Sequence, residues 1–192
     1  MNDRIVILGW GSLIYEPREL SEQIIGTWIE DGPKLPIEFS RVSSSRKKAL
    51  TLVIDPDNGS KIKTSYIISK REKIKDCVED LRKREGTSIN RIGVIDLKDR
   101  YEKRFKYPKV AEKIQDWAEH KNIATVVWTD LPSNFAEESN NEETFSVENA
   151  IKHLNSLKPD GLLEAKKYIK KAPRFVATPL RAKLNSTNWV DQ

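Results

Sequence analysis

Residues Asp55-Pro56-Asp57-Asn58-Gly59 constrain the fold of this chain more than any other segment. Proline presets φ for the first corner of a turn, Asp and Asn side chains satisfy nearby backbone N–H groups, and glycine accepts a tight exit. On either side lie runs rich in β-branched residues, Ala49–Ile54 (ALTLVI) and residues 61–69. The pattern predicts two strands joined as a hairpin from residue 50 to residue 68. A hairpin demands antiparallel pairing, so the sheet is not expected to be of the all-parallel, doubly wound kind.

The remaining elements follow each other less regularly. Residues 4–10 (RIVILGW) read as a buried strand that runs into a tight loop at Gly9 and Gly11. Residues 19–25 read as a short helix after Pro17, and Gly32-Pro33 as punctuation. Residues 36–43 (PIEFSRVS) alternate Ile37, Phe39 and Arg41 against Glu38, Ser40 and Val42, a strand with a mixed face. Ile74, Cys77, Val78 and Leu81 recur at helical spacing within residues 71–84, and Gly86 is a stop signal. Residues 92–97 and Ile123–Thr129 are further strands. Val110, Ile114, Trp117 and Ala118 mark a helix, and two more fall near residues 147–157 and 161–171, with Pro159 between them. The tail, 172–192, reads as irregular or briefly helical. The expected fold is α+β: a small mixed, mainly antiparallel β-barrel-like sheet with flanking helices and a C-terminal helical extension.

With 192 residues the chain is the length of one domain, or at most two small ones, and can bury about two-thirds of its unfolded surface. Its 38% hydrophobic and 33% charged residues are those of a globular protein, neither disordered nor membrane-spanning. The apolar run near the start is too short for a spanning or signal segment, and Met1-Asn2-Asp3 lacks a basic flank. The single Cys77 excludes an internal disulfide and a multi-cysteine zinc site, and two histidines, His120 and His153, argue against a histidine-rich metal site. The expectation is a cytoplasmic protein without metal or cofactor. Net charge is +5. From Lys152 to Lys183 nine basic residues face two acids, Asp160 and Glu164, after an acidic stretch at Glu137, Glu138, Glu142 and Glu143. Lys166, Lys167, Lys170 and Lys171 fall at helical spacing and read as a solvated face; with no nucleic-acid module signature beside them, nucleic acid is not the expected partner.

Chemistry concentrates at residues 7–17, ILGWGSLIYEP. Two glycines around an aromatic permit positive φ or close backbone approach, and successive N–H groups in such a turn can cradle an anion. The bland reading is a tight turn after an edge strand. It is not a P-loop, because no Gly-Lys-Ser/Thr sequence follows. Nor does Gly11-Ser12-Leu13 form a nucleophile elbow.

Gly9-Trp10-Gly11-Ser12-Leu13 resembles the Gly-Ser-Leu loop near the N-terminus of the γ-glutamyl cyclotransferase-like superfamily, and Leu81–Gly86 (LRKREG) resembles that superfamily's leucine-to-glutamate segment at a helix end. The two lie in the matching order within residues 4–96. The resemblance implies a cyclotransferase-like core over 1–96 and an extension over 97–192, packed together as one domain in a small barrel flanked by helices. It further implies that Trp10, Gly11, Ser12 and Leu13 hold the carboxylate or carbonyl end of a γ-glutamyl-type small molecule, and that Glu85 is the acid/base. The substrate's α-amine attacks its own γ-carbonyl and loses a proton, while the departing amine gains one; one carboxylate can serve both. On this reading Glu85 lies within about 5–8 Å of the loop, the span of one small molecule. Trp10 stands where the family usually carries tyrosine. An acid at a helix C-terminus is slightly unfavourable against the helix dipole, which leans toward a functional role for Glu85.

Glu38 and Arg41 are charged residues in an apolar stretch. They face either a polar cleft, with Arg41 taking an anionic group bidentately, or a salt bridge at a sheet edge. A β-bulge would be needed to bring residues three apart to one face. Arg181, beside Pro179, is a weaker candidate to reach a site from the tail, and Cys77, Trp117, Trp128 and Phe145 read as core. The expected function is a cofactor-free γ-glutamyl cyclotransferase-like enzyme working by intramolecular acyl transfer. The alternative is a non-catalytic small-ligand or protein-binding module of the same fold.

Overall fold

The computed structural model describes residues 2–98, 103–139 and 143–191. Residues 140–142 of the acidic stretch, with Glu142, lie outside them. The strands are β1 (Asn2–Gly9), β2 (Ile24–Ile29), β3 (Lys34–Ser43), β4 (Ala49–Ile54), β5 (Ser60–Lys63), β6 (Ser65–Ser69), β7 (Ile92–Asp96), β8 (Lys103–Arg104) and β9 (Ile123–Thr129). The helices are α1 (Ser12–Tyr15), α2 (Ile74–Glu85), α3 (Pro108–His120), α4 (Phe135–Glu138), α5 (Val147–Asn155), α6 (Pro159–Lys171) and α7 (Pro179–Ser186). The chain is a mixed α+β fold that divides into two compact units, and the division does not fall at residues 96/97. One unit holds Met1–Leu35 and Lys63–Leu131; the other holds Pro36–Ile62 and Pro132–Gln192. Among the described residues no helix is long and apolar enough to cross a membrane.

In the first unit six strands lie in the order β2-β6-β1-β9-β7-β8. All neighbours are antiparallel except β1 and β9, which run parallel with Val6 opposite Val126 and Ile7 opposite Val127. The sheet ends in two edges, β2 and β8, so it is open where a barrel-like sheet was expected. Alternate residues Ile5 and Ile7 of β1 pack with Ile67, Val94 and Val127 against the Cys77, Val78 and Leu81 stripe of α2. Each such side chain, fully buried, contributes roughly 1.5–3 kcal/mol. Trp117 of α3 meets Tyr66 edge-on, ring centroids 5.2 Å apart, and donates its indole N–H to the Asp31 carbonyl. Residues 19–25, expected as a short helix, instead lie in a 3-10 segment (Arg18–Gln23) that ends where β2 begins at Ile24. β2 itself has no counterpart in the sequence reading.

In the second unit the three strands lie in the order β4-β3-β5. The 55–59 turn forms: the Gly59 N–H donates to the Asp55 carbonyl, and the Asp55 carboxylate accepts from the N–H groups of Asp57 and Asn58. The strands it joins do not pair with each other, as the predicted hairpin required; they flank β3. The turn wraps the start of β3, with the Asp55 N–H on the Pro36 carbonyl at 2.9 Å. A Cβ on Gly59 would stand 2.5 Å from the Pro36 carbonyl carbon, so only glycine lets the chain pass. The true hairpin is β3–β4, Ile37 opposite Ile54 through Ser43 opposite Ala49. Helices α5, α6 and α7 bury Leu154, Tyr168, Ile169, Leu180 and Leu184. The Leu52 N–H donates to the Tyr168 hydroxyl, and His153 Nε2 donates to the Lys48 carbonyl at 2.9 Å.

Candidate active site

β1 ends at Gly9. A Cβ there would stand 2.6 Å from the Trp28 ring, so the glycine serves close approach. Neither Gly9 nor Gly11 takes a positive φ, one of the two uses considered for these glycines. Trp10 is buried, and Leu13 joins the core cluster with Ile5, Ile7, Leu20 and Leu81, anchoring the loop from below. Ser12 to Tyr15 make one helical turn, with the Ile14 N–H on the Gly11 carbonyl and the Glu16 N–H on the Ser12 carbonyl. The N–H groups of Ser12 and Leu13, at the start of that turn, have no preceding turn to donate into.

The α2 stripe of Cys77, Val78 and Leu81 continues one turn to Arg84, which the helical period places on the same buried face. Gly86 ends the helix with φ 61°, closing it through the Lys83 carbonyl, while the Thr87 N–H takes the Arg82 carbonyl. Glu85 therefore sits at the last position of α2, its side chain 15% exposed. Arg84 Nη1 donates to Glu85 Oε1 at 2.7 Å. Arg84 Nη2 donates to Ser12 Oγ at 3.2 Å and to the Glu16 carbonyl at 2.8 Å. The two terminal nitrogens of one planar guanidinium lie about 2.3 Å apart, so these contacts cap the Oε1-to-Ser12 Oγ separation at about 8 Å. Among the described residues Glu85 Oε2 has no hydrogen-bond partner. From the sequence Arg84 was considered only as an ion-pair partner for Glu85, beside Arg41, and was not placed among the site residues. Its signal was the continuing helical stripe, masked because a charged residue breaks an apolar count.

Glu38 and Arg41 belong to the second unit, and their partners there are structural. A register shift between them supplies the bulge considered above. Arg41 Nη1 donates to the Pro132 carbonyl at 2.8 Å. Glu38 is 0% exposed; its Oε1 accepts the Phe39 N–H at 2.7 Å, while Oε2 is buried without a well-formed hydrogen bond. Burial pushes its carboxyl above the usual glutamate range, against the Thr178 hydroxyl and the N–H groups of Phe39 and Leu180, which favour the charged form. Thr178 and Leu180 open α7, so the carboxylate lies at that helix's positive end. Arg181 points into its own segment, donating to the carbonyls of Ala172, Pro173 and Val176.

His120 is exposed and His153 fully buried, its imidazole held below the usual histidine range by burial. Cys77 and Trp128 are core, as read; Trp117 and Phe145 are half-buried. Burial pushes the Cys77 thiol up to about 12, so it is not a nucleophile at neutral pH. Asp130, at the end of β9, is a further buried carboxylate raised by burial, with the Lys106 N–H on Oδ2 at 2.5 Å. Among the described residues no group of three or more His, Cys, Asp or Glu side chains could hold a metal ion. Comparison with models of known families, with curated proteins and with solved structures found no match.

Proposed function

We propose that the first unit carries a cofactor-independent acyl-transfer site of the γ-glutamyl cyclotransferase type, acting on a small γ-glutamyl or related amide. The observation that supports this reading most is the Arg84 bridge, which ties an acid whose Oε2 has no partner among the described residues to Ser12, where the loop opens a helical turn. In the reaction the substrate's α-amine attacks its γ-carbonyl carbon, and the developing oxyanion lies against the N–H groups of Ser12 and Leu13. Glu85 takes the proton from the attacking nitrogen as the ring C–N bond forms. It returns that proton to the departing nitrogen as the amide C–N bond breaks, so a five-membered lactam and a free amine leave with no co-reactant. Holding amine and carbonyl in one molecule lowers the entropic part of the barrier.

The test is a chromatographic screen for 5-oxoproline released from glutathione, γ-glutamyl dipeptides and γ-glutamyl amines. Release in step with the free amine, lost in Glu85→Gln, is the expected result. No release across the panel would move the site to the second reading, a binding module that uses the same loop and carboxylate without turnover. The ion pair occupying Glu85 Oε1 is the observation that favours that second reading.

A further inference from the structure

The Arg84 side chain is 5% exposed, yet its two terminal nitrogens serve three acceptors on two elements: Glu85 Oε1, Ser12 Oγ and the Glu16 carbonyl. Its Nε is buried without a hydrogen-bond partner among the described residues, so the guanidinium is placed by this fork and by packing rather than by saturating its own donors. A guanidinium has donors only. Ser12 Oγ must therefore accept from Arg84, and its own hydroxyl proton is directed elsewhere. Oε1 of Glu85 is likewise committed to a charge-assisted bond, which leaves proton exchange to Oε2.

We propose that Arg84 is a positioning residue that couples the acid to the loop. It selects Oε2 as the proton-carrying oxygen and turns the Ser12 hydroxyl into a donor beside the loop N–H groups, aimed at the reacting carbonyl oxygen. The chemical roles of the two groups rest on the acyl-transfer reading of this site; their coupling through one guanidinium does not. A lysine cannot reproduce the arrangement, because a single ammonium lacks the planar fork that reaches both sides at once.

A stability cycle on the full chain tests the coupling without a substrate. Ser12→Ala, Glu85→Gln and the double variant are unfolded in urea, in the parent chain and in Arg84→Lys. In the parent the unfolding constant of the double variant should depart from the product of the single effects by about threefold or more. In Arg84→Lys the product rule should hold. Multiplicative behaviour in the parent overturns the proposal; should Arg84→Lys fail to fold, the parent cycle alone still decides it. On any donor that the screen identifies, Arg84→Lys should lower kcat by roughly ten- to a hundredfold with KM within about twofold, as expected of a group acting through an acid/base. Methylguanidinium added to Arg84→Ala should restore part of kcat. A loss confined to KM, or no rescue in a folded variant, overturns the positioning role. If the parent turns over no donor, the acyl-transfer reading falls, and the stability cycle still stands or fails by itself.

Discussion

Glu38 and Glu85 are both carboxylates in apolar surroundings, and the structure treats them differently. Glu38 has no solvent exposure and faces the opening turn of α7, so its charge is opposed by burial and supported by a helix end. Glu85 keeps 15% of its side chain exposed, has one oxygen bound by a guanidinium and leaves the other free. A carboxylate enclosed on every side joins elements together. One that is held by half and open by half can exchange a proton with something that arrives. Burial alone does not mark a working acid.

Four measurements would break or sharpen that contrast. The largest effect expected is on turnover: Glu85→Gln should cost roughly two to four decades in kcat, the usual size of an acid–base contribution. Its urea midpoint should stay near the parent's, and a large midpoint shift would make Glu85 structural after all. Glu38→Ala should do the reverse, leaving kcat per folded molecule unchanged while removing about 2–3 kcal/mol of stability, because it strips the acceptor from buried N–H groups. The third concerns pH. The native Glu38 carboxyl is raised, so the folded state binds its proton more tightly than the unfolded chain does. Stability from this group is then lost as pH rises from the ordinary glutamate value through the native one. His153 is lowered, so its contribution runs the other way and is lost as pH falls from 6.5 toward its native value. Glu38→Gln should remove the falling component and leave a midpoint that climbs more steeply toward neutrality than the parent's; parallel curves would refute the burial argument. The smallest effect expected is Arg41→Lys, which weakens the bond to the Pro132 carbonyl at a cost of about 1 kcal/mol. Its kcat should be unchanged, and a collapse of turnover would return Arg41 to the ligand.

The α2 stripe and the bend at 55–59 were legible because spacing and turn chemistry act within a few residues. The partner of β4 was not, since a turn fixes where the chain bends and not which strand it comes to lie beside. Residues 61–69 read as one strand but break at Thr64, whose N–H and hydroxyl both donate to the Pro33 carbonyl, a contact thirty-one residues away in sequence. β2 escaped because it is an edge: Ile25 and Ile29 are exposed, and Gly26 at φ 76° interrupts the alternation. At the site, the Gly-Trp-Gly loop stood out by its two glycines, whereas Glu85 came only from the resemblance of Leu81–Gly86 to a family segment. Arg84 required knowing that a helix face continues past its last apolar residue. That Glu38 and Arg41 are charges within an apolar strand was plain from the sequence; that α7 and Pro132 receive them was not, because those partners come from more than ninety residues away.

The interleaved division of the chain has a consequence for its birth on the ribosome. The first unit cannot close until β9 has been made, since β9 lies between β1 and β7 in the sheet. By then residues 36–62 have already been synthesised, while the helices that complete their unit, α5 to α7, are still to come. Ile37, Phe39, Leu50 and Leu52, buried in the finished protein, pass through that interval without their helical cover. Uncovered strands in a nascent chain are the segments most prone to pair with a neighbour. Vectorial synthesis thus gives this protein one obligatory window of exposure, which opens with β3 and closes only when α7 emerges.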